Sequence, residues 1–332
     1  MIICPLCESI IIKKLLEIPL DRFDQSVLYN TVDIHSCINC GHVFNNIDFG
    51  EICGLIKYYD TEYRDFCTDA SRKNNQYIYD THIYKEEVIF NFLNIEDDSL
   101  DSFEYSHKIE HVVNPKTIFK QFSRILKENG KLHLSIPDAS RYHEVKYFNF
   151  YYFSLREHIH HFDLDHILLL ADEYHFKLVD IEKNVIDLVN KNMQIPNLNL
   201  VFEYRPNEII RSMKNLFNLE DQIKKYINQQ SINLEFYDEV TSKPIYIYGM
   251  SREFFYLYEN SNLKDLNIIG FIDDTPIKQQ KYTFKNNTIQ SSEILKDTGE
   301  DTFCIITAVA HTELLMNRLK TINYKGRILP LC

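Results

Sequence analysis

The stretch EHVVNPKTIFKQFSRILKENGKLHLSIPD, residues 110–138, carries the reading of the fold. Pro115 suits the first turn of a helix, where the N–H it lacks would have no partner anyway. The helix it opens (PKTIFKQFSRILKE) is expected to stop at Asn129-Gly130, a helix-terminating pair. Lys131 to Ile136 (KLHLSI) alternates as a strand should, and Pro137-Asp138 closes it. Upstream, Asp101 to Tyr105 reads as a strand and Glu110-His111 as helix; downstream, a helix is expected near Asp165 to Tyr174. A strand, a helical crossover and a second strand predict an α/β sheet.

Toward the C-terminus the pattern repeats on a smaller scale. Pro244 to Gly249 (PIYIYG) reads as a strand and MSREFFYLYEN as a helix. Asn267 to Asp274 and Thr302 to Val309 read as strands, Thr312 to Thr321 as a helix, and Arg327 to Leu329 as a last strand. Apolar strands alternating with helices predict a parallel sheet buried on both faces, a small Rossmann-like domain over 243–332. Residues 191–242 read as a helical linker with helices near 206–217 and 219–230. Tyr58 to about Leu93 is helical and aromatic-rich.

Composition narrows the function. The chain has 332 residues and a formal net charge of -12, which argues against nucleic-acid or anionic-membrane partners. No apolar run approaches the ~18 residues of a membrane helix, and the start lacks the features of a signal peptide; a soluble, cytoplasmic protein is expected. The 8 glycines never stand one residue apart. That excludes a Walker A loop and a GxGxxG dinucleotide turn.

Cys4-Pro5-Leu6-Cys7 and Cys37-Ile38-Asn39-Cys40 form two CxxC pairs. Each can turn as a knuckle aiming two thiolates at one centre, and two knuckles complete a closed tetrahedral site. A structural zinc is expected on Cys4, Cys7, Cys37 and Cys40 in a module over 1–57. His42 is a candidate substitute ligand. Cys53 and Cys67 read as buried or incidental thiols.

Residues 110–138, followed by REHIHHFDLDHILLLADEYHFKLV (156–179), resemble the second half of a class I S-adenosylmethionine (SAM)-dependent methyltransferase. With the CxxC pairs, the order of parts is similar to that of zinc-bearing sugar C-methyltransferases, which act on keto sugars carried by a nucleotide diphosphate. The resemblance implies a methyltransferase-like Rossmann domain over 58–190, SAM as cofactor, and a place in surface-glycan synthesis. One departure is large. The helix ending near Leu93 passes through Asn94 to Asp98 almost directly to the strand at Asp101, so the glycine-bearing βαβ unit that holds SAM in that family has no counterpart. The expected domain is a truncated one. Either SAM binds in another way, or the protein is a non-catalytic relative that binds a nucleotide sugar or a partner enzyme.

Site residues follow from both readings. C-methylation removes a proton beside a keto group, a task for a near-neutral histidine oriented by a carboxylate. The resemblance places such a pair at Glu157-His158; a ligand-binding or vestigial role is the alternative. Glu110 and His111 either pack and cap or contact a cofactor. Tyr63, with Tyr58 and Tyr59, either faces substrate or packs in the core, and His161 is a candidate substrate contact. In the C-terminal domain, the Gly249–Ser251 turn and Lys278 are candidates for nucleotide-sugar recognition; a helper role or a homo-oligomer interface stays open. An NAD-linked sugar oxidoreductase would rest only on the C-terminal domain, where Asp273 lies 24 residues after Gly249, near the place of a ribose-binding acid.

Overall fold

The computed structural model describes residues 2–66, 92, 94–145, 148, 150–188, 193–230, 240 and 242–331. Three sheets organise them. The first begins with β1 (Ile12–Pro19), β2 (Thr31–Cys37) and β3 (Val43–Asn45), all antiparallel. Helices α1 (Phe49–Asp60) and α2 (Glu62–Phe66) follow. Asp48 opens α1 with a reciprocal cap: its carboxylate accepts from the Glu51 N–H at 2.8 Å, and the Glu51 carboxylate accepts from the Asp48 N–H at 2.7 Å. The rest of the helix expected up to Leu93, and Cys67, lie outside the described residues.

The second sheet belongs to a unit that runs β4 (Leu100–Ser106), α3 (Pro115–Ile125), β5 (Leu126–Pro137), α4 (Tyr151–Ser154), β6 (His160–His161), α5 (Leu164–Glu173), β7 (Phe176–Leu188) and β8 (Met193–Tyr204). Its strand order is β4-β5-β8-β7, with β4 parallel to β5 and the other pairs antiparallel. Its edge strands among the described residues are β4 and β7. The Asn114 side chain caps α3 by accepting from the Thr117 N–H at 3.3 Å, and Pro115 takes the first turn. Ile118, Phe119, Phe122 and Ile125 form its buried face and share a core with Leu132, Leu134, Leu200 and Phe202 of the sheet. Each side chain of this size stabilises the layer by roughly 1.5–3 kcal/mol on burial.

Four expectations shift. The helix stops at Ile125, before Asn129-Gly130, because Leu126 already pairs with Leu100 in the sheet. The register then jumps to Ser102 opposite Lys131, and Asn129, at φ 66, takes part in that bulge. Glu110 and His111 occupy a single 3-10 turn, Ile109–His111. Residues 193–204, expected in the helical linker, form β8 between β5 and β7, with Leu198, Leu200 and Phe202 buried on alternate positions. No helix forms over 206–217, where Ile209 and Met213 are 82% and 97% exposed, so there is no buried apolar face to stabilise one. The second linker helix is α6 (Asn218–Gln229).

Strand β6 leaves this second unit and completes the N-terminal sheet, pairing Val43 with His161 and Phe44 with His160. The histidine-rich segment is thereby tied to the cysteine module.

The third sheet contains β9 (Ile245–Tyr248), β10 (Ile268–Ile272), β11 (Thr283–Phe284), β12 (Asn287–Gln290), β13 (Phe303–Ile306) and β14 (Arg327–Pro330), in the order β11-β12-β10-β9-β13-β14. All but β11 run parallel. Helices α7 (Arg252–Asn260), α8 (Pro276–Lys281) and α9 (Thr312–Thr321) connect them. The chain leaves β9 toward β10 on one side and returns to β13 on the other, so the sheet reverses direction at β9. Among the described residues, no helix is long and apolar enough to cross a membrane.

Candidate functional site

The four cysteines converge. Cys4 Sγ lies 3.6 Å from Cys40 Sγ, and Cys7 Sγ lies 3.5 Å from Cys37 Sγ. A tetrahedral ion with Zn–S bonds of about 2.3 Å has S···S edges of about 3.8 Å, so the sulfurs stand close to ligating positions. Without a cation they cannot all ionise. Hydrogen bonding from Cys40 lowers the Cys4 thiol to about 5, while burial pushes Cys37 up to about 11, and the bond to Cys4 drives Cys40 higher still. The donor set fits one metal ion, held by Cys4, Cys7, Cys37 and Cys40. Gly41, at φ 79, closes the second knuckle; a Cβ there would stand 2.0 Å from the Leu216 carbonyl oxygen. His42 turns away from the sulfurs, its Nε2 lying 3.0 Å from His160 Nδ1. Cys53 is exposed rather than buried, on α1, and is not a member of the cysteine cluster.

A cavity of about 670 Å³ opens at the carboxyl ends of β9, β10 and β13. That is where open α/β sheets take ligands, at the point where strand order reverses. Gly249 ends β9 at φ 97, and a Cβ there would meet the Ala308 Cβ at 2.6 Å. Its carbonyl accepts from Thr307 Oγ1 at 2.6 Å. The turn delivers Ser251 and Arg252, at the start of α7, to the cavity wall. The acids after β10 are already engaged. Asp273 accepts from the Met250 N–H at 3.0 Å, the Thr275 N–H at 3.0 Å and Lys278 Nζ at 2.7 Å. Asp274 accepts from the Tyr248 hydroxyl at 2.5 Å and from Ser292 N–H and Oγ at 2.8 Å each. Lys278 also donates to the Met250 carbonyl at 2.9 Å, so its ammonium braces the turn.

The facing wall comes from other parts of the chain: Arg22 and Phe23 after β1, Tyr58 and Tyr63 of α1 and α2, and Ser154, Arg156 and Glu157. Glu157, whose side chain is buried, pairs with Arg252 across the cleft. Arg156 donates to the Asp21 carbonyl at 2.5 Å, and burial pushes its guanidinium down to about 10.

Behind this wall sits a second polar cluster. Ligand atoms of Glu110, His111 and His158 lie within 4.8 Å of one another. His111 Nδ1 is 2.9 Å from the Glu157 carbonyl oxygen and 3.1 Å from the Tyr59 hydroxyl. Burial, reinforced by His111 and His161, holds the His158 imidazole well below its ordinary value, so it is neutral at pH 7.

Of the residues singled out by sequence, Glu157, Tyr63, Gly249, Ser251 and Lys278 share the cavity. Glu110, His111 and His158 form the separate cluster, joined to the cavity through the Glu157 backbone. His161 is buried against Phe153, with ring centroids 4.8 Å apart, and does not line the cavity. Sequence reasoning missed Arg22, Arg156 and Arg252. Only Arg252 carried a local signal, as a cation at the first turn of a helix directly after the Tyr248-Gly249 turn.

Residues 66–181 match a family model described as a methyltransferase domain. The chain thus contains a methyltransferase-like segment. Similar solved structures include a SAM-dependent methyltransferase from Methanosarcina mazei (15% identity, 34% of this chain and 62% of that one, TM-score 0.27). A putative sarcosine dimethylglycine methyltransferase from Galdieria sulphuraria matches at 15% identity over 35% of this chain and 58% of its own, TM-score 0.27. A putative SAM-dependent methyltransferase from Listeria monocytogenes matches at 13% over 34% and 64%, TM-score 0.26. The chain spans less than two thirds of the length of these three relatives. No curated protein matches.

Proposed function

We propose that this methyltransferase-like protein takes a nucleotide-diphosphate sugar into the cleft, with structural zinc on the four cysteines. The observation that carries the reading is the cleft's position: the N-terminal end of α7, which bears Arg252, lies at the switch point of a parallel sheet and is faced by Arg22 and Arg156. Backbone N–H groups at a helix start and guanidinium groups together suit a diphosphate. The apolar part of the wall, Leu20, Phe23 and Leu314 among it, suits a base or sugar face. SAM fits less well. A class I site needs a glycine turn for close backbone approach, and the chain has no glycine between Gly54 and Gly130.

The test is calorimetric titration of metal-loaded protein with UDP- and dTDP-sugars, then with SAM and S-adenosylhomocysteine. Saturable binding of a nucleotide-diphosphate sugar, competed by the free nucleotide diphosphate, is expected. A folded protein that binds none of them would overturn the reading. Active methyl transfer is the second reading, favoured by the neutral His158, the state a general base needs, although the Glu157 carboxylate beside it in sequence is turned to Arg252. SAM binding with turnover that is lost in His158→Ala would establish it.

A further inference from the structure

We propose that Glu110, His111 and His158 form a second metal site, distinct from the cysteine centre, that takes a divalent transition-metal ion through one carboxylate and two imidazoles. The ligand atoms already lie within 4.8 Å of one another. Around an ion with bonds of about 2.1 Å, two ligands can stand at most about 4.2 Å apart. Side-chain adjustment of about 1 Å closes the set.

An independent observation points to a missing cation. Glu110 is 2% exposed, and neither of its carboxylate oxygens has a hydrogen-bond partner. His107 Nδ1 and His111 Nε2 approach its Oε1 at only 3.6 and 3.9 Å. A buried carboxyl group without hydrogen-bond partners is costly, and coordination to a metal ion is one of the ways such a group is satisfied.

The imidazoles are arranged to match. His111 Nδ1 lies 2.9 Å from the Glu157 carbonyl oxygen, an acceptor that demands the N–H on Nδ1 and leaves the Nε2 lone pair facing Glu110. A backbone carbonyl fixing the tautomer from behind is a common support for a metal-bound histidine. His158 Nδ1 is buried with no hydrogen-bond partner, so a lone pair there has no other use among the described residues. Three protein ligands leave a coordination position open for water or a ligand oxygen, unlike the closed cysteine site. The site does not depend on the nucleotide-sugar reading.

The test titrates chelator-stripped protein with Co²⁺ alone. The first equivalent should give the near-ultraviolet thiolate-to-cobalt charge-transfer band of the cysteine centre. The second should add visible d–d bands with no further charge transfer. Elemental analysis of zinc-loaded protein should find two ions per chain. Glu110→Gln, which keeps the side-chain volume, and His158→Ala should each lose the second equivalent and keep the charge-transfer band, which reports that the cysteine module is intact. A wild-type protein that stops at one equivalent in about tenfold excess metal overturns the proposal. So does a second equivalent retained by Glu110→Gln. Because the wild-type count needs no variant, misfolding of a mutant leaves the proposal open to refutation.

Discussion

Gly249→Ala tests whether the cleft rests on the turn after β9. Gly249 has φ 97, and an added methyl carbon would stand 2.6 Å from the Ala308 Cβ, 3.0 Å from the Ala308 nitrogen and 3.3 Å from Leu315 Cδ1. Holding a non-glycine residue at such a φ costs about 1–3 kcal/mol. Forcing a methyl against a neighbouring β-carbon adds overpacking of about 1–3 kcal/mol. Ala308 belongs to the chain after β13, so relief by movement would pull apart the β9–β13 pair, which is hydrogen-bonded from Phe303 to Ile306. The expected loss is about 2–6 kcal/mol, read as a lower urea midpoint. Ala308→Gly in the same chain removes the closest atom and leaves the φ penalty. The double variant should recover about 1–3 kcal/mol relative to Gly249→Ala. A single variant within about 0.5 kcal/mol of the wild type, or a double variant with no recovery, would refute the argument that close approach of two backbones dictates the glycine.

Three further outcomes are expected. Arg252→Ala leaves the Glu157 carboxylate buried without its cation; since Arg252 is itself partly exposed, the cost should be about 1–3 kcal/mol in urea unfolding, below that of a fully buried pair, and Glu157→Gln in the same chain should return part of it. Glu220 joins α6 to the first sheet through Ser36 Oγ at 2.7 Å and Lys13 at 3.0 Å, and pairs with Lys224 of its own helix at 2.5 Å. Burial opposes its charge, but these contacts lower its pKa to about 2. Because the folded value is depressed, this stabilisation is complete above the ordinary glutamate value of about 4.3 and fades as pH falls toward the folded one, so Glu220→Gln should lose about 1–2 kcal/mol at pH 7 and show a flatter acid limb in unfolding curves. Cys4→Ser/Cys37→Ser, which takes two thiolate donors from the cysteine cluster, should raise hydrogen exchange over 37–45 and 159–161 together, because β3 pairs with β6 and the Asn45 N–H donates to the Ile159 carbonyl at 2.7 Å; unchanged exchange at 159–161 would mean the cysteine centre does not support that segment.

What could be read from the chain was what its chemistry keeps local. Cysteines three residues apart state a knuckle by themselves, and the structure brings the two pairs to 3.5–3.6 Å contacts. The unit of α3 and β5 could be read because a capping Asn114, Pro115 and a periodic apolar face agree with one another. Where local and global signals differ, the sheet prevails: Asn129-Gly130 has the chemistry of a helix stop, but Leu126 had already found Leu100. The stretch over 193–204 alternates in the manner of a strand and was hidden only by the polar, lysine-rich residues around it, whereas 206–217 has helical composition and nothing to pack against. The cleft's charges were least legible. Glu157 and Arg252 are 95 residues apart in the chain, and no spacing rule links them. They meet because β6 is drawn into the cysteine module's sheet while α7 is set by the turn at Gly249. A site assembled by two independently folded neighbourhoods leaves no local trace, and its residues are found by following what each neighbourhood anchors.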